Sequence, residues 1–184
     1  MKHTIWLLLI GILFCFAKCE KEEPIDGNST NIPGLPPATQ TGANTLGFLL
    51  NGVPWTPAGN NGTANLSIDF DPGIDNGVMG ITAYRITNSQ QIQYFGFGII
   101  DSLNVRVPPY TIALSKTSLY RCRFYMNLDC YLLSIENETQ STGSITILKL
   151  DRTNRIVAGS FNAMLHKIGC DSIKITNGRF DLKF

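Results

Sequence analysis

Three aspartates crowd the stretch DFDPGIDNG, residues 69–77. Asp69, Asp71 and Asp75 carry the hard oxygen ligands that a cation such as calcium takes. The spacing is not that of an EF-hand loop: Pro72 stiffens it and the closing glutamate is missing. Asp-Pro-Gly and Asp-Asn-Gly are ordinary turn sequences, so a turn without metal is expected. Histidine chemistry is scarce, with only His3 and His166 in the chain. His166 shares strand parity with Ser160 and Asn162 and opposes Phe161 and Leu165, which makes it a surface residue rather than a general base. A histidine-rich zinc site is excluded by count, and no CxxC pair occurs. Neither GxSxG, a P-loop nor a dinucleotide fingerprint is found. No cofactor is expected. In YFGFG, Gly96 and Gly98 share one face with Tyr94 and could floor a groove for a flat sugar. Strand glycines also mark close packing or a bulge.

The five cysteines are Cys15, Cys19, Cys122, Cys130 and Cys170. In SLYRCRFYM, Cys122 alternates with Tyr120, Phe124 and Met126 on an apolar face and reads as a small core residue. Cys130 follows a polar turn and Cys170 lies in the loop 167–171. Two loop-proximal cysteines in an exported protein are natural partners, so the expected disulfide is Cys130–Cys170. A Cys122–Cys130 bond across a hairpin, or three free thiols, are the rivals.

Cys19 belongs to a different device. Ile5–Ala17 is a 13-residue apolar run. A spanning helix needs about 20 apolar residues, whereas the core of an export signal needs about 7–15. The run is followed by FAKC, which resembles a bacterial lipobox, where the cysteine is lipidated and becomes the mature N-terminus. Ala17 fits that pattern and Lys18 departs from it. Residues 1–18 are therefore expected to be a lipoprotein signal peptide, with Cys19 carrying the lipid. Cys15 is the alternative. The run Glu20-Lys21-Glu22-Glu23 resembles the acidic, lysine-containing signal that sends Bacteroidota lipoproteins to the cell surface; a plain solvated charge run reads the same. Residues 19–44 hold four prolines and no aromatic residue. Such a segment cannot bury enough surface to offset its ordering entropy, and a disordered tether is expected.

What must position the remaining residues is a set of strands. Segments 45–50, 53–56, 63–70, 77–87, 91–100, 110–114, 118–126, 131–136, 144–150, 155–166 and 172–184 alternate or are rich in β-formers, and none shows a helical period. Asn51-Gly52 is the strongest hairpin signal. Trp55 is expected in the core. Residues 45–184 are expected to form one all-β domain, a single antiparallel β-sandwich or partly open barrel of about 9–11 strands. In the last two strands, Val157, Phe161, Ala163 and Leu165 share a face, while Ile173 and Ile175 differ in parity from Phe180, Leu182 and Phe184. A bulge at Asn177-Gly178, with Gly178 at positive φ, gives the register Leu165–Ile173, Ala163–Ile175, Gly159–Phe180 and Val157–Leu182. A tight hairpin at Asn177-Gly178 is the alternative.

The stretches LPPATQTGANTLGFLLNGVPW (35–55), ILKLDRTNRIVAGSF (147–161) and GCDSIKITNGRFDLKF (169–184) resemble an uncharacterised Bacteroidota lipoprotein family, a domain of unknown function. The Gly-Arg-Phe-Asp motif, Gly178 to Asp181, is the most specific part. The resemblance implies an all-β, surface-anchored protein with no established activity. Family members often carry a cysteine where this chain has Phe48. The triplets at 101–103 and 171–173 resemble the Asp-Ser/Thr-apolar O-glycosylation pattern of the same bacteria.

Setting aside Lys2 and Lys18 of the leader, 13 basic residues face 14 acidic ones, a net charge of −1. No basic patch emerges, so nucleic acid is not an expected partner. The sequence thus points to a non-enzymatic, lipid-anchored module of the outer membrane, exposed at the cell surface, that binds or scaffolds an envelope protein or a glycan. A lipocalin-like barrel holding an apolar ligand and a carboxylate-based hydrolase are the alternatives.

Overall fold

A computed structural model of the chain describes residues 31–89, 91–100, 103–115, 121–128 and 130–184, with the backbone alone for 121–124. The expected leader, Cys15, Cys19 and the acidic run lie outside the described residues. Eleven strands follow one another: β1 Thr45–Leu50, β2 Val53–Trp55, β3 Leu66–Asp71, β4 Val78–Ile86, β5 Ile92–Ile100, β6 Tyr110–Ala113, β7 Arg121–Asn127, β8 Tyr131–Leu133, β9 Thr139–Asp151, β10 Ile156–Lys167 and β11 Ile173–Lys183. They build two antiparallel sheets, in the orders β2-β1-β11-β10-β9-β6 and β3-β4-β5-β7-β8. The sheets do not close into a barrel, and the protein is an all-β sandwich.

Local chemistry explains the joints. Asn51 and Gly52 both take positive φ, 49° and 87°, as a type I′ hairpin turn requires, and Leu50 pairs with Val53 across it. In β11 one extra residue is inserted: Phe161 pairs with Gly178 but Ala163 pairs with Ile175. The same step appears from the other side, where Gly47 pairs with Arg179 and Leu49 with Thr176. The parity switch in the sequence is thus a bulge, not a hairpin. Its left-handed residue is Asn177, at φ 53°, rather than the expected Gly178. Asparagine tolerates that region better than most residues. Gly178 answers a different demand: a Cβ there would sit 2.6 Å from the Phe161 ring and from the Phe161 carbonyl oxygen.

The inward faces meet in an aromatic centre. Phe48 stacks on Trp55 with ring centroids 4.8 Å apart, and Phe161 stacks on Phe95 at 5.5 Å. Phe97 touches Phe161 at 5.1 Å and Phe180 at 5.3 Å. The buried Trp55 Nε1 donates to Gln93 Oε1 at 2.9 Å, so its one polar atom is satisfied. The closed barrel of the lipocalin-like alternative is not formed: the sheets stay open, and these rings pack between them. Phe48, standing where the family implied a cysteine, is fully buried among them.

Of the expected tether, residues 19–30 lie outside the described residues, and the rest is corrected. Residues 31–44 are not disordered; they form a strap across the outer face of the six-stranded sheet. Leu35 N donates to Ile32 O at 3.0 Å to close a turn, Pro36 packs on Gly47, and Gly34 packs on Pro54. Lys149 Nζ donates to Gln40 O at 3.0 Å. The main fastening is Asp181, only 1 % exposed. Its carboxylate accepts from Thr39 Oγ1 (2.6 Å), Thr41 N (2.9 Å), Thr41 Oγ1 (3.3 Å) and Gly42 N (2.7 Å). A segment poor in apolar residues cannot make a core, but it can be held by a carboxylate waiting for donors.

Candidate functional site

The strap makes the two outer faces of the sandwich unequal. On the six-stranded sheet, β11 directs Arg179 and Asp181 outward, and the strap covers both. Arg179 is 8 % exposed and donates to Pro36 O at 3.4 Å; burial lowers its pKa. The Gly-Arg-Phe-Asp motif therefore acts as a seam. Gly178 admits Phe161, Arg179 meets the strap, Phe180 enters the core and Asp181 fastens the strap. Beneath it remains a hollow of about 280 Å³, with Thr146, Ser160, Asn162 and Arg179 in its wall.

Among the described residues no comparable strap crosses the five-stranded sheet, although Asn61 and Thr63 close over Tyr84. In β4 and β5, Met79, Ile81, Ala83, Phe95, Phe97 and Ile99 are buried. Strand alternation sends Gly80, Thr82 and Tyr84, and Tyr94, Gly96 and Gly98, to the other face. Register aligns them in rows: Gly80 pairs with Gly98, Thr82 with Gly96 and Tyr84 with Tyr94. Ser67 of β3 extends the middle row, and Tyr125 of β7 closes it. Thr63, Ala64, Ser67, Thr82, Ala83, Tyr84, Tyr94 and Tyr125 line an open groove of about 490 Å³. The Ser67 and Thr82 hydroxyls lie 2.6 Å apart. Tyr84 is locked, its hydroxyl donating to Thr63 O (2.8 Å) and accepting from Asn61 N (3.1 Å). The Tyr94 ring is 6.3 Å from it and 37 % exposed. Tyr125 leans over Gly96, where a Cβ would collide with its ring. Burial raises the Tyr125 pKa, and the neighbouring Tyr131 and Tyr94 add to the effect, so the phenol stays protonated at neutral pH.

The other expected residues fall elsewhere. Cys130, between β7 and β8, forms a disulfide with Cys170, between β10 and β11, which ties one sheet to the other. Cys122 has a described backbone, paired with Ile99, but its side chain lies outside the described residues. His166 is exposed and its Nδ1 lies 2.9 Å from Ser172 Oγ. Asp69, Asp71 and Asp75 are all exposed. Asp71 Oδ1 accepts from Gly73 N at 2.7 Å, and Asp75 and Asn76 take positive φ, which is turn chemistry. Among the described residues, no three His, Cys, Asp or Glu side chains converge to hold a metal. Neither hollow described above is lined by Asp, Glu, His or Cys. Of the 101–103 triplet only Leu103 is described, and it is fully buried; in the 171–173 triplet, Asp171 and Ser172 are exposed.

Sequence reasoning touched Tyr94, Gly96 and Gly98 but missed Ser67, Thr82, Tyr84 and Tyr125. The alternation within each strand was the available signal; the register between strands was not. No family model, curated protein or solved structure matches the chain.

Proposed function

We propose that the protein is a non-enzymatic binding module of the cell envelope, held to the outer membrane by lipid on Cys19 and displaying the open face of its five-stranded sheet. One observation carries this: the strap covers the Arg179 and Asp181 part of one outer face, while the other carries a groove of rings and hydroxyls. The leader supports the anchor, since Ile5–Ala17 is too short to span a bilayer. Among the described residues no helix is long and apolar enough to cross one. The resemblance to Bacteroidota lipoproteins points the same way. The expected partner is an envelope protein or a glycan.

Two measurements test it. Intact mass and detergent partitioning should show a lipid on the wild-type chain and none on Cys19→Ser; an aqueous, unlipidated wild type overturns the anchor. Full chain immobilised against solubilised outer membrane should retain a component that Tyr94→Ala does not. Identical profiles for the two overturn the binding module.

A further inference from the structure

The groove on the five-stranded sheet has a lining that selects a chemistry. It carries tyrosine rings (the buried Tyr84, with Tyr94 and Tyr125) and hydroxyls (Thr63, Ser67, Thr82), and among the described residues no Asp, Glu, Lys or Arg. At about 490 Å³ it falls among small-ligand sites, which run about 300–1,000 Å³. Among the described residues, an anionic ligand would find no cation in this lining. A purely apolar ligand would strand the hydroxyls from water, which is unfavourable. A ligand with a flat C–H face and a rim of hydroxyls satisfies both halves. Its C–H groups meet the negative face of an aromatic ring, and its hydroxyls meet hydroxyls that both donate and accept.

A second observation concerns the floor. Beyond Thr82 and Gly96 the same face continues along β4 and β5 as Gly80 paired with Gly98. Glycine inside a strand weakens it and needs a reason. Gly96 has one, the Tyr125 ring. Gly80 and Gly98 have no positive φ. No described atom lies within 4 Å of a Cβ built on Gly80, and on Gly98 only the sheet's own Met79 carbonyl does, at 3.5 Å. The described fold would accept a side chain at either position; in register the pair is flanked by the exposed Asp69 of β3 and by Arg123 of β7, whose side chain lies outside the described residues. A flat molecule can lie there along the strands.

Building on the proposed binding role, we infer that this face binds a neutral glycan, one sugar ring resting against Tyr94 and Tyr125 and the chain running on over Gly80 and Gly98.

The test uses the full chain in a detergent without a sugar headgroup. It is applied to an array of neutral and acidic oligosaccharides, and binders are titrated by calorimetry. Neutral oligosaccharides should bind, and Tyr94→Ala and Gly80→Val should each raise Kd at least about tenfold with unchanged thermal unfolding. Should Gly80→Val unfold, Gly80→Ser replaces it, with the same expected loss. Binding that both variants leave intact, or a preference for acidic glycans, overturns the inference. If no glycan binds but an outer-membrane component is still lost on Tyr94→Ala, the sugar is wrong and the binding module stands. If neither is seen, both fall.

Discussion

The hydroxyl of Thr39 donates to the carboxylate of Asp181 at 2.6 Å across 142 residues of chain. Burial alone would push Asp181 up. The donors at Thr39, Thr41, Gly42 and Ala43 outweigh it and hold the carboxyl below its usual range. One aspartate thus fastens a segment that has almost no core of its own.

Removing that acceptor should loosen the strap. Asp181→Asn keeps the size but sets an NH₂ against donors, and should lower the unfolding free energy by about 1.5–3 kcal/mol. A chain starting at Thr45 should be less stable than one starting at Asn31, by about 2–4 kcal/mol, since it loses the charge-assisted bonds and uncovers Arg179. Chemical denaturation of the three chains measures this; equal stability would mean that the strap contributes nothing.

The same bond sets a pH dependence. The folded pKa of Asp181 lies below its unfolded value, so the folded state binds fewer protons at this site. Its contribution is complete above the unfolded carboxylate value of about 3.9 and is lost as pH falls through the folded one. Hydrogen exchange at the Thr41 and Gly42 amides should accelerate relative to the β5 amides as pH is taken below about 4. Asp181→Asn should show fast exchange without that acid step.

At the β11 bulge, space and conformation can be separated. Gly178→Ala forces a methyl against Phe161 and should cost about 1–3 kcal/mol, although its φ is ordinary. Asn177→Gly should be neutral or slightly stabilising, whereas Asn177→Val should cost about 1–3 kcal/mol for a strained φ. Melting temperatures of the three variants decide it; a tolerated Gly178→Ala would mean that Phe161 yields freely.

The disulfide closes a loop between residues 40 apart in sequence and joins the two sheets. Cys130→Ala/Cys170→Ala should lose about 2–4 kcal/mol. Non-reducing peptide mapping should recover the 130–170 pair; a peptide joining Cys122 to Cys130 would overturn it.

Much of the sandwich was legible because strands announce themselves by alternation. Val157 opposite Leu182 and Leu165 opposite Ile173 followed from parity alone, and parity also located the β11 bulge. It could not say which residue of Asn177-Gly178 turns left-handed, since both types accept that region and only the Phe161 ring separates them. The strap was illegible because proline-rich, aromatic-free composition measures core-building, and this segment is held by a carboxylate far along the chain. Asp181 itself looked like any outward strand residue until Thr39 met it. The groove needed the β3–β4, β4–β5 and β5–β7 registers at once, which no single strand contains.

The 142-residue separation of Thr39 and Asp181 also bears on the order in which the chain is made. The first strand has only β2 and β11 as neighbours, and the strap before it waits for Asp181. A polypeptide emerging N-terminus first therefore cannot lock the strap until Asp181 is out. Contacts so distant in sequence form slowly, so the strap and β1 stay unlocked while most of the sandwich is being made.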